Sequence, residues 1–313
     1  MPLPTDEKLL KTSQDLVNQL HTAFGKHAGY RATHAKGLLL NGTFTPSAHA
    51  QALSIAPHLN NPSTSITVRF SSSTGIPQLP DADPNGEPRG IAIRFNLGEH
   101  SHTDIIAHST PHFPVRTGAE FLELLRAIGA SPPGTPSPSP IETFLGSHPA
   151  ALAFVSAPKP IKGSFAFESY YGLSAIKFIN NEGKETYLRY RVLPESEGEA
   201  LDDAALKVAD VNFLHEEIRK RATEQTISFK IVGQVAQERD GTDDVTVQWP
   251  EDRKLVELGT VRIDSLEKDD AKLQKHIIFD PIPNVKGIEP SKDPLFDLRA
   301  AVYLISGRER RAA

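Results

Sequence analysis

The chain has 313 residues, enough for one large domain or two ordinary ones with a sizeable buried core. Charged residues make up 23% of the sequence and the formal net charge is −5, which argues against a basic surface for nucleic acid or an anionic membrane. No apolar run approaches the ~20 residues of a membrane-spanning helix, and the absence of cysteine excludes disulfides, thiolate nucleophiles, iron–sulfur clusters and thiolate-ligated haem.

Cofactor ligation and location are constrained by the same composition. Any metal or cofactor must be held through histidine, carboxylate or tyrosine oxygen, because cysteine sulfur is not available. The N-terminal residues lack the basic-then-apolar pattern of a signal peptide, and the final RERRAA does not resemble a peroxisomal tripeptide. We therefore expect the default compartment, the cytoplasm.

The first half of the chain mixes helices with short strands. Its predicted elements are a helix over 6–24, strands over 65–72, 90–97 and 103–110, a helix over 117–128 and a proline-rich loop over 129–140. The first two strands are separated by a loop rich in glycine, proline and aspartate, which favours turns.

The second half is predicted to be richer in strand. Its β-type segments are KGSFAFESYYG, SAIKFINNEGKETYLRYRV, QTISFKIVGQVAQ, VTVQWP and ELGTVRIDSLE, interrupted by a helix over 201–223. The turn NNEGKE between two alternating runs predicts a β-hairpin. So many strands that are distant in sequence favour an α+β protein built on an antiparallel β-barrel.

Three groups of residues are candidates for chemistry. They are Arg31, Thr33, His34 and Lys36 before an apolar run; Arg69 and Ser71 on one face of a strand; and Arg299 and Tyr303, four residues apart on a predicted C-terminal helix. A guanidinium beside a phenol favours the phenolate, and a phenolate oxygen ligates ferric iron. Spacing alone leaves open that Arg299 and Tyr303 only stack or hydrogen-bond on an amphipathic helix.

The histidines at 100, 102, 108 and 112 are a further candidate cluster. Their spacing matches neither a zinc site nor a facial triad of iron ligands, so solvated or supporting roles are expected for them.

At these motifs the sequence resembles the haem catalases, and specifically their small catalase-related peroxidase relatives. RATHAKG is similar to the distal-histidine motif R-x-x-H-A-K-G, VRFSS to the V-R-F-S strand, and GEPRGIAIRF to the D-P-R-G-F-A-V-K-F segment. The C-terminal stretch follows F-D-P…G-I-E-P-S-x-D…R-x-x-x-Y…R-x-R with its spacings intact. The motifs keep the family's order from about residue 29 to 310, and the order makes the resemblance specific.

The resemblance implies a catalase-type barrel of about eight antiparallel strands, with inserted helices and a C-terminal proximal helix, and it implies haem b (iron protoporphyrin IX) as cofactor. Tyr303 would be the iron ligand, held anionic by Arg299. His34 would be the distal acid and base, a task that suits an imidazole with its ordinary pKa near neutrality. Ser71 would hydrogen-bond His34 and fix its tautomer.

The resemblance also implies residues that hold the haem. Arg31, Arg69 and Arg310 would pair with the propionates, because the arginine fork suits a carboxylate. Phe113 and Phe121 would lie on the distal face of the haem, with Phe113 near the substrate channel.

Two positions depart from the pattern of the large catalases. His108 stands where those enzymes have an asparagine that contacts peroxide, and it either replaces that donor or points elsewhere. Thr33 stands where catalases usually have valine and where the related allene oxide synthases have threonine. The Thr33 hydroxyl either hydrogen-bonds the His34 imidazole or is a β-branched replacement with no functional meaning.

The chain also ends ten residues after Tyr303, so we expect a single catalase-core domain over 1–313, without a wrapping or flavodoxin-like C-terminal extension. A shorter covering over the haem would admit larger substrates.

The expected function is a haem-dependent peroxidase that uses hydrogen peroxide or organic hydroperoxides with an organic electron donor and retains weak catalase activity. One alternative is a fatty-acid hydroperoxide isomerase or lyase of the allene oxide synthase type, and another is a non-enzymatic carrier of haem or a hydrophobic ligand. The expected partners are a hydroperoxide and a small organic donor, with no nucleic acid and no membrane segment. A homodimer is a compatible assembly.

Overall fold

A computed structural model describes residues 3–313 of the chain. Its centre is an antiparallel β-structure. The strands are β1 (Gly37–Pro46), β2 (Thr64–Ser71), β3 (Gly90–Gly98), β4 (Ser101–His108), β5 (Tyr170–Tyr171), β6 (Ile176–Ile179), β7 (Glu185–Pro194), β8 (Ile227–Val235), β9 (Leu255–Leu266) and β10 (Ile288–Pro290).

The strands close into a barrel. Within residues 3–313, eight of them form a ring in the order β7-β5-β4-β3-β2-β1-β9-β8, and β7 pairs with β8 to complete it. β6 extends the sheet beyond β7, and β10 pairs with β6. The pairings are antiparallel, which confirms the predicted catalase-type barrel of eight strands.

The two faces of the barrel strands have different roles. Leu38 and Leu40 of β1 face Phe70 and Val68 of β2 in register, and all four are fully buried in the barrel interior. Because side chains alternate along a strand, the residues between them point outward. On this outer face lie Arg69 and other residues that the sequence analysis assigned to a site.

Helices pack against the barrel, and those that carry Ala50, Leu59 and Ile218 join its interior apolar cluster. The helices are α1 (Glu7–Phe24), α2 (Ala48–Leu53), α3 (Pro57–Asn60), α4 (Gly118–Gly129), α5 (Pro140–Ser147), α6 (Pro149–Ser156), α7 (Asp203–Val208), α8 (Phe213–Glu224), α9 (Asp270–His276) and α10 (Leu295–Ala312). Leu16 of α1, Leu122 of α4 and Leu298 of α10 share one apolar cluster, so the first and last helices of the chain pack together. Of the helices in residues 3–313, none has the length and apolar character needed to cross a membrane.

Most predicted elements are confirmed within a few residues, including the hairpin between β6 and β7 and the C-terminal helix α10. Three predictions were wrong. The segment KGSFAFESYYG is mainly a 3₁₀ turn (Phe165–Phe167) followed by the two-residue strand β5, because its aromatic residues bury in the core without extending the ladder.

The helix predicted over 201–223 is two helices, α7 and α8, because Ala209 adopts an extended backbone after α7 and a new helix begins after Asn212. The segment VTVQWP is a loop rather than a strand. Asp244 accepts hydrogen bonds from the backbone and hydroxyl of Thr246, and Trp249 donates its indole N–H to the Gly241 carbonyl. These local bonds compete with strand pairing.

Candidate active site

A cavity of about 710 Å³, counting the space at its mouth, lies between the outer face of β2–β4 and helix α10. The cavity brings together eight of the predicted site residues: Arg31, Thr33, His34, Arg69, Ser71, His108, Tyr303 and Arg310. Its remaining wall is mostly apolar, with Ile106, Phe279 and Val302 among the lining residues.

His34 is held in an unusual backbone conformation. Its φ of 53° lies in the left-handed region, which costs a non-glycine residue on the order of 1–3 kcal/mol and persists only when the surroundings impose it. Backbone hydrogen bonds impose it here, because His34 N–H donates to the Ser73 carbonyl and Ala35 N–H donates to the Thr74 carbonyl. The segment that ends in His34 is thereby fixed to the chain that follows β2.

The His34 ring is oriented by a serine and a glycine. Its Nδ1 lies 3.0 Å from the Ser71 hydroxyl oxygen, which is the contact expected from the sequence. Gly90 lies beside both groups, because a Cβ at this position would be 2.9 Å from His34 Cε1 and 3.0 Å from Ser71 Oγ. Sequence analysis did not single out Gly90, although the GEPRGIAIRF segment contains it as the first residue of a predicted strand.

His108 enters the same cavity from the end of β4. Its ring centroid lies 5.8 Å from that of His34, with the rings tilted by 37°. Burial, assisted by the Arg299 charge, lowers the pKa of His108 to about 4. Burial and then the His108 and arginine charges lower the pKa of His34 well below its ordinary value, in contrast to the near-neutral value expected. Both imidazoles are therefore neutral near pH 7.

Thr33 does not make the contact that one interpretation of its hydroxyl required. The hydroxyl donates to the Ser73 carbonyl rather than to the His34 imidazole. The serine at position 71, not the threonine at position 33, is the hydroxyl that meets the His34 ring.

Three arginines gather at one part of the cavity. Arg31 and Arg310 both donate to the Ile277 carbonyl, at 3.1 and 2.7 Å, and Arg69 donates to the His34 carbonyl at 2.9 Å. Among residues 3–313 none of these three guanidinium groups forms an ion pair with a carboxylate. Burial, and then neighbouring arginine charges, lower the pKa of Arg69 to about 9 and of Arg310 to about 10.

Helix α10 carries the other predicted group. Tyr303 lines the cavity, and the Arg299 guanidinium, one turn earlier, lies 3.2 Å from its phenolic oxygen. On the same helix, the Ser306 hydroxyl accepts a hydrogen bond from Ala32 N–H. This bond ties α10 directly to the segment that carries His34.

Phe113, Phe121 and Arg299 are the predicted site residues that do not line the cavity. The two phenylalanines lie 6.1 Å apart, centroid to centroid, in the apolar cluster between α1, α4 and α10. Val302, which does line the cavity, packs against the same cluster. Phe113 and Phe121 are thus half-buried against that apolar cluster rather than in the cavity lining.

The arrangement fits the haem that the sequence resemblance implies. The three guanidinium groups repel one another and have no carboxylate partners. A bound group with two carboxylates would offset this repulsion. Tyr303 offers an oxygen ligand suited to iron, with Arg299 donating to that oxygen. The apolar walls suit a largely hydrophobic ring.

Comparison with known proteins gives an independent result. The sequence model of the catalase family, described as "Catalase", matches residues 7–313. A "Catalase-related peroxidase" of Mycolicibacterium paratuberculosis is 32% identical, over 96% of this chain and 95% of that protein. A "Catalase-related peroxidase" of Synechococcus elongatus is 30% identical, over 96% of this chain and 88% of that protein.

The fold comparison agrees. The crystal structure of a fungal catalase superimposes with a TM-score of 0.77 at 19% identity, covering 99% of this chain and 63% of the fungal chain. The chain thus spans less than two thirds of that larger protein. The chain belongs to the catalase family, and with it to the haem-containing oxidoreductases that act on peroxide.

Proposed function

We propose that this protein is a haem b-dependent peroxidase that consumes hydrogen peroxide or an organic hydroperoxide at the expense of a small organic electron donor, with weak catalase activity. One observation carries the proposal. A single cavity presents His34 and His108 from the barrel side and Tyr303, with the Arg299 guanidinium on its oxygen, from α10. The relatives named catalase-related peroxidases support the same reaction class.

The residues that would hold the cofactor follow from their chemistry. Tyr303 would ligate the iron, and Arg299 would stabilise its anionic oxygen. Arg31, Arg69 and Arg310 would bind the propionates as charge-assisted hydrogen-bond donors. When bound, haem b supplies the iron at which the peroxide O–O bond is broken and the oxidising equivalents that the donor then consumes.

The protein's own part in the reaction is proton transfer and orientation. Because His34 Nδ1 is engaged by Ser71, Nε2 is the ring atom left to meet the substrate. A neutral Nε2 accepts the proton of the first peroxide oxygen and returns it to the departing oxygen. His108, also neutral and with its ring centroid 5.8 Å from that of His34, would donate or accept a second hydrogen bond to the peroxide.

Thr33 was the residue that favoured a hydroperoxide isomerase. Its hydroxyl donates to the Ser73 carbonyl rather than to the His34 imidazole, so it does not support that alternative. A carrier without activity would need neither the His34–Ser71 contact nor the strained His34 backbone.

The deciding experiment mixes the haem-loaded protein with hydrogen peroxide or with a linoleate hydroperoxide, each with and without a phenolic donor. Sustained turnover that requires the donor is expected. Conversion of the lipid hydroperoxide without donor would favour the isomerase instead. A protein produced with ample haem that binds none would overturn the cofactor assignment.

We also propose that the chain forms a single catalase-core domain. Support comes from the site itself, whose residues run from Arg31 to Arg310, and from the packing of α1 against α10. Limited proteolysis should leave one resistant core that contains both helices. Separation into two independently stable fragments would contradict this proposal.

A further inference from the structure

A buried ionic cluster lies behind the His34 side of the cavity. Its centre is Asp81, whose side chain is fully buried in the loop between β2 and β3. Lys36 Nζ donates to Asp81 Oδ1 at 2.7 Å, and the His215 Nδ1 lies 3.0 Å from both carboxylate oxygens. None of these three residues lines the cavity, and the proposed reaction does not use them directly.

Asp81 caps a helix to which it is not adjacent in sequence. The N-cap residue that precedes α8, Asn212, makes no side-chain capping bond. Asp81 Oδ2 accepts the Leu214 and His215 amides instead, at 3.0 and 3.2 Å. A carboxylate at this position satisfies amides that would otherwise lack partners, and it interacts favourably with the helix dipole.

Three connections run from Asp81 to the groups around His34. Lys36 follows His34 by two residues. Arg89 precedes Gly90 and donates both to the Asp81 carbonyl and to the Ser72 hydroxyl, each at 2.6 Å. Ser72 directly follows Ser71, and its backbone N–H donates to the Lys36 carbonyl.

These connections reach the three chain segments that orient the imidazole. The segments supply the His34 backbone, the Ser71 hydroxyl and the Gly90 surface. We propose that Asp81 and His215 are positioning residues for His34, and that they hold its strained backbone and its Nδ1–Ser71 contact by fixing Lys36, Ser72 and Arg89 to α8. This inference rests on the proposed role of His34 as the acid and base of the reaction.

Burial of the Asp81 carboxylate explains why a change at this residue would affect its neighbours in the cluster. Lys36 and Asp81 are each at least nine-tenths buried, so removing the carboxylate charge leaves the Lys36 ammonium buried without its anionic partner, whereas Arg89 keeps its ion pair with Glu87. Buried ionic groups that lose a partner rearrange rather than tolerate the loss. The adjacent backbone at His34 is already strained, so it is the element expected to relax.

The test compares Asp81→Asn, His215→Leu and His215→Asn in the full-length, haem-loaded protein. Asp83→Asn is the matched control, because Asp83 lies in the same loop and accepts only local bonds from Asn85. Deuterium exchange at the imidazole C2 carbon, resolved by mass spectrometry, reports the environment of each histidine as a function of pH. The rate of cyanide binding reports how well His34 accepts a proton.

We expect Asp81→Asn and His215→Leu to accelerate His34 exchange at least about threefold and to slow cyanide binding about tenfold. His58, which is buried on α3 against Phe44 and Phe95, should exchange as in the unmodified protein. His215→Asn keeps a donor for Asp81 and should restore both readouts. If His215 only stabilised the fold, the two readouts would recover only together with the unfolding midpoint.

An unchanged His34 exchange profile in a folded Asp81→Asn protein with a lowered unfolding midpoint would overturn the proposal. If Asp81→Asn does not fold, the pair His215→Leu and His215→Asn decides by the same two readouts. Histidine exchange does not depend on turnover, so failure of the peroxidase assignment would be distinguishable from failure of this inference.

Discussion

The Arg299 guanidinium lies 3.2 Å from the phenolic oxygen of Tyr303, one turn away on α10. Tyr303 lines a cavity to which the N-terminal part of the sequence contributes Arg31, His34 and His108. The relationship couples a fixed positive charge to the only tyrosine oxygen among the residues that line the cavity within 3–313. Haem binding should therefore depend on this helix position more than on any other tyrosine.

Replacing Tyr303 with phenylalanine should change the absorption spectrum of the loaded protein completely and weaken haem retention, because the oxygen ligand is lost. The measurement is the Soret band and the rate of haem transfer to an acceptor protein. Tyr30→Phe is the control, since Tyr30 is 46% exposed and lies outside the cavity lining. An unaltered Soret band in Tyr303→Phe would rule out phenolate ligation.

Removing the distal base should leave haem bound and slow the reaction with peroxide. His34→Gln is expected to reduce the second-order rate constant by about 10²–10⁴-fold, as for the loss of a general base. Ser71→Ala should reduce it by about tenfold, because it removes only the group that orients Nδ1. Stopped-flow absorbance measures both. Equal losses in the two variants would contradict this division of roles.

His108 is tested by comparing an apolar and an amide replacement. His108→Leu should lower the rate of peroxide consumption because a neutral hydrogen-bonding group beside His34 is lost. His108→Asn restores the residue type of the large catalases and should keep or raise the donor-independent release of dioxygen. Oxygen-electrode measurements with and without donor check this. Wild-type rates in His108→Leu would show that His108 does not contact the peroxide.

Gly90→Ala should impair the reaction without unfolding the protein. A methyl group there would lie 2.9 Å from His34 Cε1 and 3.0 Å from Ser71 Oγ, so the ring or the hydroxyl must move. A displacement of this kind is expected to cost about 10- to 100-fold in kcat/KM. Gly146→Ala, in open space on α5, should be neutral or slightly stabilising. Full activity in Gly90→Ala would contradict the inference that the His34 ring and the Ser71 hydroxyl leave no room for a methyl group at position 90.

Acid should destabilise the protein through His58. Burial lowers the pKa of His58 to about 3, whereas in the unfolded chain the imidazole binds a proton near 6.5. Between these values the unfolded state holds more protons, so the free energy of unfolding falls as the pH falls.

His58→Leu should flatten this dependence by up to about 1.4 kcal/mol per pH unit, measured by urea unfolding between pH 4 and 6.5 at fixed ionic strength. His49→Leu, at an exposed position on α2, is the control. Parallel curves for His58→Leu and the unmodified protein would contradict the assignment.

The barrel strands could be predicted from sequence because alternation is a local signal. The strand predicted over 90–97 is β3 (Gly90–Gly98), and the turn between β6 and β7 follows from its residues. The failures share a cause. The apolar residues around Phe165 and Val245 are buried by tertiary packing, which periodicity cannot distinguish from a place in a ladder.

The candidate site could likewise be predicted only in part from the sequence. Arg299 and Tyr303 share a helix face and could be paired from spacing alone. The contact of Ser71 with His34 and the fit of Gly90 depend on strand register and on a positive φ, which one sequence does not reveal. The resemblance predicts Phe113 and Phe121 on the haem face, and in the structure they pack against a helix cluster without lining the cavity, so their role stays a prediction.

The docking of α10 has a consequence for assembly. Ser306 accepts a bond from Ala32, and the carbonyl of Ile277 is shared by arginines from both ends of the chain, so the cavity exists only once the last helix has closed against the barrel. Cofactor capture is therefore expected only once α10 has been synthesised and has docked. Bound haem would in turn stabilise the closed helix by mass action, which makes hydrogen exchange in α10 a direct gauge of cofactor supply.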